Sequence, residues 1–179
     1  MKVYFIGAGP GEPELITVKG KRLLEEADII IYAGSLVNPE ILKYAKKDAA
    51  VFDSASMSLD EIVKIMVDSV KDGKIVVRLH TGDTSLYSAI AEQMIELKKA
   101  DIDFEIIPGV SSASAAAASL NIEYTLPEIT QTVIYTRIAG RTDVPDAEKL
   151  SSLAAHNSTM VIFLSVQKIK DVVDELLKG

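Results

Sequence analysis

Lys74-Ile-Val-Val-Arg-Leu79, continuing as His80-Thr-Gly-Asp-Thr-Ser-Leu-Tyr87, is the stretch that decides the fold of this 179-residue chain. Its first part is a short apolar run, the pattern of a buried strand. The chain then turns through Thr81, Gly82 and Asp83 and enters a helical pattern over 85–99. Polar and glycine residues gather at this junction, where building a core does not require them. Ligand crevices of open α/β folds lie beyond the carboxyl ends of parallel strands. The junction therefore reads as one wall of a site.

Outward from it, strand and helix patterns alternate. Strands are expected at 3–6, 29–32, 50–53 and 104–107, and helices at 18–27, 39–45, 58–73 and 111–120. Ser58 and Glu61 have the spacing of a capping box, and Ile62, Ile65, Met66 and Val70 keep helical spacing behind it. Regular alternation implies an α/β fold, a mainly parallel sheet with helices on both faces. The character changes near Asn121-Ile-Glu-Tyr-Thr-Leu-Pro127, which reads as a linker. Beyond it, strands at 132–136 and 160–164 alternate with helices at 147–155 and 166–178. The expected organisation is an N-terminal α/β domain over 1–120 and a partial C-terminal α/β domain over 121–179. It is called partial because a two-stranded sheet is marginal by itself. Moreover, the stripe of Ile169, Val172, Val173, Leu176 and Leu177 has no following strand to cover.

Composition removes several function classes. With 48% hydrophobic residues the chain can bury a core, and its net charge of −7 argues against nucleic acid and anionic membrane surfaces. There is no cysteine, so disulfides and thiolate metal sites are excluded and a reducing, cytoplasmic setting is expected. No apolar run approaches the roughly 18 residues of a membrane span, and Met1 leads straight into a strand pattern without signal-peptide architecture. Two histidines and no cysteines are too few to assemble a metal site or a Ser-His-Asp triad.

Four further segments carry chemistry. Gly7-Ala-Gly-Pro-Gly11 follows the first strand but does not fit the dinucleotide fingerprint, which would need glycine where Glu12 stands. Pro10 also lacks the N–H of a phosphate cradle. Close backbone approach to some other ligand, or a tight turn, remains. Pro108-Gly109-Val-Ser-Ser112 closes another strand, and Ser111 and Ser112 stand at a helix N-terminus. Free N–H groups there either favour an anionic group or are simply capped by serine. Tyr32-Ala-Gly-Ser-Leu-Val37 puts Ser35 at the same rim. Arg137 and Arg141 flank the first strand of the second region, and their forks suit carboxylates. At the opening junction, Asp83 either caps the helix or accepts hydrogen bonds from a ligand, and His80 is a proton-acceptor candidate.

Taken together, these segments resemble the tetrapyrrole (precorrin) methylases, and within them the branch that methylates C11 of a cobalt-containing precorrin. The resemblance rests on Gly7-Ala-Gly-Pro-Gly11, Tyr32-Ala-Gly-Ser-Leu-Val37, Arg78-Leu-His-Thr-Gly-Asp83 and Pro108-Gly-Val-Ser-Ser112. It rests equally on Leu126-Pro-Glu-Ile-Thr-Gln-Thr132 and on Thr136-Arg137 with Gly140-Arg-Thr142. It implies S-adenosyl-L-methionine, converted to S-adenosyl-L-homocysteine, in a trough between two α/β domains of a homodimer. By the same resemblance Pro10, Thr81, Gly82, Asp83, Leu86, Ser111, Ser112 and Leu164 would contact this cofactor. Ser35, Arg78, Arg137 and Arg141 would meet a cobalt-containing tetrapyrrole rich in carboxylates, with His80 near the reacting face. Cobalt would arrive with the substrate. Thr84 and Ser88 depart from the proline and glycine usual in the family, and family members run well past position 179. Two alternatives stay open: a methylase of this fold acting on another tetrapyrrole, and a fragment without activity.

Overall fold

The computed structural model describes residues 1–140 and 142–179. They form two compact units, Met1–Ala115 and Ala116–Gly179. The first unit holds five strands: β1 (Val3–Gly7), β2 (Ile29–Tyr32), β3 (Ala50–Asp53), β4 (Val76–His80) and β5 (Phe104–Ile107). All pair in parallel, in the order β3-β2-β4-β1-β5. The helices are α1 (Val18–Glu26), α2 (Leu59–Lys71), α3 (Ile90–Lys99) and α4 (Ser112–Leu120), the last reaching across the division into the second unit.

The strand period of two sorts the core into two faces. Ile6, Ile30, Val77 and Leu79 pack with Leu23 and Leu24 of α1. Val3, Phe5, Ile29, Ile31 and Val76 pack with Ile62, Met66 and Val70 of α2 and Leu97 of α3. The chain thus leaves β1 for a helix on one face and leaves the adjacent β4 for a helix on the other. Divergence of neighbouring connections is what opens a crevice in such sheets. The helix starts follow their caps. Thr17 accepts a hydrogen bond from the Gly20 amide, and Ser58 and Glu61 form the complete capping box of α2.

One expected boundary is displaced. The helical pattern over 85–99 begins as helix only at Ile90, because Tyr87 and Ala89 take left-handed backbone angles, with φ of 54° and 50°. Asp83 holds the Ser85 amide at 2.9 Å, and the Ser88 hydroxyl donates to the carbonyls of Asp83 and Leu86 at 3.1 and 3.2 Å. These local bonds keep the segment out of the helix.

The second unit is sparser. Strands β6 (Val133–Arg137) and β7 (Thr159–Phe163) pair in parallel, and α5 (Leu150–Ala154) and α6 (Ile169–Leu176) accompany them. Both helices are shorter than the patterns at 147–155 and 166–178 suggested, each preceded by a single tight turn of 3-10 helix. Tyr135 and Phe163 meet edge to face across the strand pair at 5.7 Å. No helix among the described residues is long and apolar enough to cross a membrane.

Candidate functional site

The carboxyl ends of β1, β4 and β5 are fused backbone to backbone. Ala8 donates to the His80 carbonyl at 2.7 Å, and Gly9 and Gly82 exchange two amide–carbonyl bonds of 3.2 and 2.8 Å. Glycine is required where these loops touch. A Cβ on Gly109 would lie 2.2 Å from the Gly82 carbonyl oxygen, and one on Gly7 would lie 2.6 Å from Gly109 Cα. Gly82 itself has φ +61°, and its missing Cβ would point toward Ser111 and the Ser112 amide, 3.7 to 3.8 Å away. The structure therefore brings Gly82, Ser111 and Ser112 together on one rim, with Asp83 bonded into it. Pro10 and Leu86 are half-buried in the loops that leave β1 and β4, and Thr81 is exposed.

Asp83 has a different surrounding from the ligand-facing carboxylate expected. One oxygen accepts the Gly109 amide at 2.8 Å, and the other accepts the amide and hydroxyl of Ser85. Partial burial alone would raise its pKa, but these donors outweigh that and hold the carboxyl below the usual range. The Asp83 side chain is a clip joining the β4 and β5 loops.

Two side chains expected to face the substrate are instead buried on the α2–α3 side of β4. Arg78 is 5% exposed and His80 6%. The Arg78 Nε donates to Gln93 Oε1 at 3.3 Å, and burial without a carboxylate partner pushes the guanidinium down to about 10. Burial first, and then the Arg78 charge, lower His80 to about 3, against a hydrogen bond with the Ser88 backbone. Its ring lies 5.9 Å from that of Phe5. A group that binds protons so weakly is a poor acceptor near neutral pH. The structure thus corrects both readings: neither side chain is presented to a ligand in this conformation.

Two residues that sequence reasoning passed over complete the rim. Asp53, at the end of β3, accepts the amides of Gly34 and Ala55, each at 2.9 Å, and so fixes the turn that presents Ser35. A Cβ at Gly34 would run into that carboxylate at 2.3 Å. Asn38 donates to the Gly11 carbonyl at 2.7 Å, tying the β1 and β2 loops. A polar residue ending an apolar strand was the available signal for Asp53. Ser35 is exposed.

In the second unit, Arg137 is turned onto its own loop. Its guanidinium donates to the carbonyls of Ile138, Thr142 and Asp143 and to the Thr142 hydroxyl, at 2.8 to 3.3 Å. This occupies the fork that was expected to meet substrate carboxylates. The buried Ser165 accepts the Ile138 amide at 3.1 Å and donates to Phe163 at 2.6 Å, clipping the ends of β6 and β7. Leu164, at the end of β7, is 71% exposed with φ of 54°. Non-glycine residues hold such angles at a cost of roughly 1–3 kcal/mol and cluster at ligand sites. A cleft of about 750 Å³ within this unit is lined by Arg137, Lys149, Asp171, Asp174 and Lys178 among others. Arg141 lies outside the described residues. No cluster of His, Cys, Asp or Glu suited to a metal ion occurs among the described residues.

Against known proteins, residues 2–179 match the model of the Tetrapyrrole (Corrin/Porphyrin) Methylases. A cobalt-precorrin-4 C(11)-methyltransferase of Methanocaldococcus jannaschii is 62% identical over 99% of this chain and 69% of its own length. The X-ray structure of the cobalamin biosynthetic enzyme cobalt precorrin-4 methyltransferase, CbiF, superimposes with a TM-score of 0.95 at 51% identity. The match covers 98% of this chain and 74% of that one. A uroporphyrin-III C-methyltransferase of Thermus thermophilus, complexed with S-adenosyl homocysteine, aligns with a TM-score of 0.79 at 26% identity. There 99% of this chain and 72% of that one are covered.

Proposed function

We propose, on the premise that the chain belongs to the tetrapyrrole (corrin/porphyrin) methylases, that it transfers a methyl group from S-adenosyl-L-methionine to C11 of cobalt-precorrin-4 in cobalamin biosynthesis. The carrying observation is the glycine rim at the switch between β1 and β4, where Gly82 faces Ser111 and Ser112 without a Cβ. The relative that bears the C11 name, at 62% identity, supports the choice of carbon.

Gly82, Ser111 and Ser112 would hold the cofactor with Pro10, Thr81 and Leu86 beside them, and within the second unit Leu164, exposed at φ 54°, is the cofactor-contact candidate. Gly82 fits this role because a bare backbone allows close approach, and Ser111 and Ser112 because the positive end of a helix dipole favours a carboxylate, the Ala113 amide being held by Ser111 Oγ at 3.2 Å. When bound, the sulfonium supplies an electrophilic methyl. Displacement at methyl needs in-line contact, so the protein's contribution is orientation and exclusion of water. Asp83, Asp53 and Asn38 act by fixing the rim loops. Ser35 and Arg141 are the candidates for substrate carboxylates, the Arg137 fork being taken by Ile138, Thr142 and Asp143. Cobalt belongs to the substrate.

The same reading makes the 121–179 region part of a larger α/β domain. Its sheet has two strands, and Leu164, Val166, Ile169, Val173 and Leu177 are exposed. It also carries a homodimer, as in the resemblance above, and a cytoplasmic setting, which absence of cysteine suits. Incubation of the chain with cobalt-precorrin-4 and methyl-labelled S-adenosyl-L-methionine tests the assignment. Carbon-13 NMR is expected to place the label on C11, and a label on any other carbon overturns it.

A further inference from the structure

The guanidinium of Arg78 is a buried cation in the first unit. It lies in the sheet core, 5% exposed, with its Nη1 unpartnered among the described residues. A buried charge without a counter-ion destabilises a fold, and a hydrophobic residue of similar volume usually serves packing better. What the arginine touches gives it a different purpose. Its Nε donates to Oε1 of Gln93, itself only 5% exposed on the first turn of α3, and Gln93 Nε2 donates onward to the Ala89 carbonyl at 3.3 Å. Ala89 is the residue before α3, held at φ 50° without any side-chain cap. Two residues earlier, Tyr87 is held at φ 54°. Two left-handed non-glycine residues so close together persist only where the surroundings over-determine them. His80, next on the same face of β4, reaches the Ser88 backbone between them.

We infer that Arg78 and Gln93 form a buried strut that holds the strained segment 87–89, and through it the 81–86 turn, in the geometry that receives the cofactor. Both are positioning residues, acting through the Ala89 carbonyl. The inference rests on the function proposed above, since it gives that rim its purpose. A charged donor suits the task because it fixes which end of the Gln93 amide faces Arg78. The amide's oxygen must accept from the cation, so its nitrogen is turned toward Ala89. An apolar residue at 78 would leave that orientation free.

The experiment uses the full chain and compares wild type with Gln93→Glu and Arg78→Met by thermal melting, hydrogen exchange of residues 85–92 and calorimetry with S-adenosyl-L-homocysteine. Gln93→Glu keeps an acceptor for Arg78 and supplies a counter-ion, but sets a carboxylate oxygen against the Ala89 carbonyl. The expected result is a melting temperature at or above wild type, with exchange of 85–92 and the dissociation constant each raised about tenfold. Arg78→Met, which removes the buried charge, is expected to match wild type in melting yet loosen the same residues. Wild-type exchange at 85–92 in either folded variant overturns the strut. If wild type itself gives no heat with S-adenosyl-L-homocysteine, the functional reading fails, while the exchange comparison still decides the strut.

Discussion

The two units use the same grammar of parallel strand, loop and helix, yet they hold their loops differently. In Met1–Ala115 the loops after β1, β4 and β5 meet backbone to backbone, with Gly7, Gly9, Gly82 and Gly109 at the tightest approaches and the Asp83 carboxylate clipped onto the Gly109 amide. In Ala116–Gly179 the loop after β6 is held by side chains: the Arg137 fork, the Ser165 hydroxyl, and Lys168, which donates to the Ala139 carbonyl at 3.0 Å. The cores differ in the same sense. Of the hydrophobic residues that are buried, only Leu150 and Val172 belong to the second unit among the described residues. A backbone lock tolerates no added atom, whereas a side-chain clamp can loosen by degrees. Substitutions in the two units should therefore fail in different ways.

The largest contrast is between two glycines. Gly109→Ala would drive a Cβ to within 2.2 Å of the Gly82 carbonyl oxygen, and is expected to destabilise the first unit by about 3 kcal/mol as the loops separate. A Cβ at Gly140 meets nothing within 4 Å, so Gly140→Ala should stay within about 0.5 kcal/mol. Urea denaturation of both checks this, and equal losses would break the comparison.

Acid comes next. His80 is lowered in the fold to about 3, so between that value and an ordinary histidine pKa the unfolded chain binds the extra proton. The fold then loses stability as pH falls through this window and is unaffected above it. The loss should reach about 2 kcal/mol at pH 5. Melting curves from pH 7.5 to pH 5 are expected to fall more steeply in wild type than in His80→Gln, and parallel curves would contradict the buried, neutral state.

Smaller effects sharpen the picture. Ser165→Ala strands the Ile138 amide and should cost about 1.5 kcal/mol, read as faster hydrogen exchange at the ends of β6 and β7 with the first unit untouched. Ser58→Ala removes one half of the α2 capping box and should cost about 1 kcal/mol, read from the midpoint of the first unit's unfolding.

Short continuous runs of Ile, Val and Leu made the strands and the parallel sheet legible, because a sheet covered on both faces requires them, and helical spacing did the same for most helices. The Gly82, Ser111 and Ser112 rim was legible as well, through glycine and serine at strand ends. The ligand roles expected for Arg78 and His80 do not agree with their burial. Their place among polar neighbours suggested a ligand, but the alternation that buries Val76 also buries residues 78 and 80. The start of α3 was hidden too, since nothing in Ser85-Leu-Tyr-Ser-Ala89 announces two left-handed residues. That conformation is held by the Asp83 and Ser88 bonds within the turn and by Gln93, which reaches the Ala89 carbonyl from the following helix. The clips made by Asp53, Asn38 and Ser165 depend on loops meeting in space, which spacing along the chain does not encode.

Calorimetry of S-adenosyl-L-homocysteine with wild type and Gly82→Ala tests the central claim most directly. A Cβ at Gly82 has room, with its nearest neighbour at 3.7 Å, so the variant should fold with a loss of only about 1 kcal/mol for its left-handed alanine. Wild type is expected to bind in the micromolar range and Gly82→Ala to bind at least about tenfold more weakly. Equal binding by the two proteins, or no heat from wild type at millimolar ligand, would contradict a cofactor site on this rim.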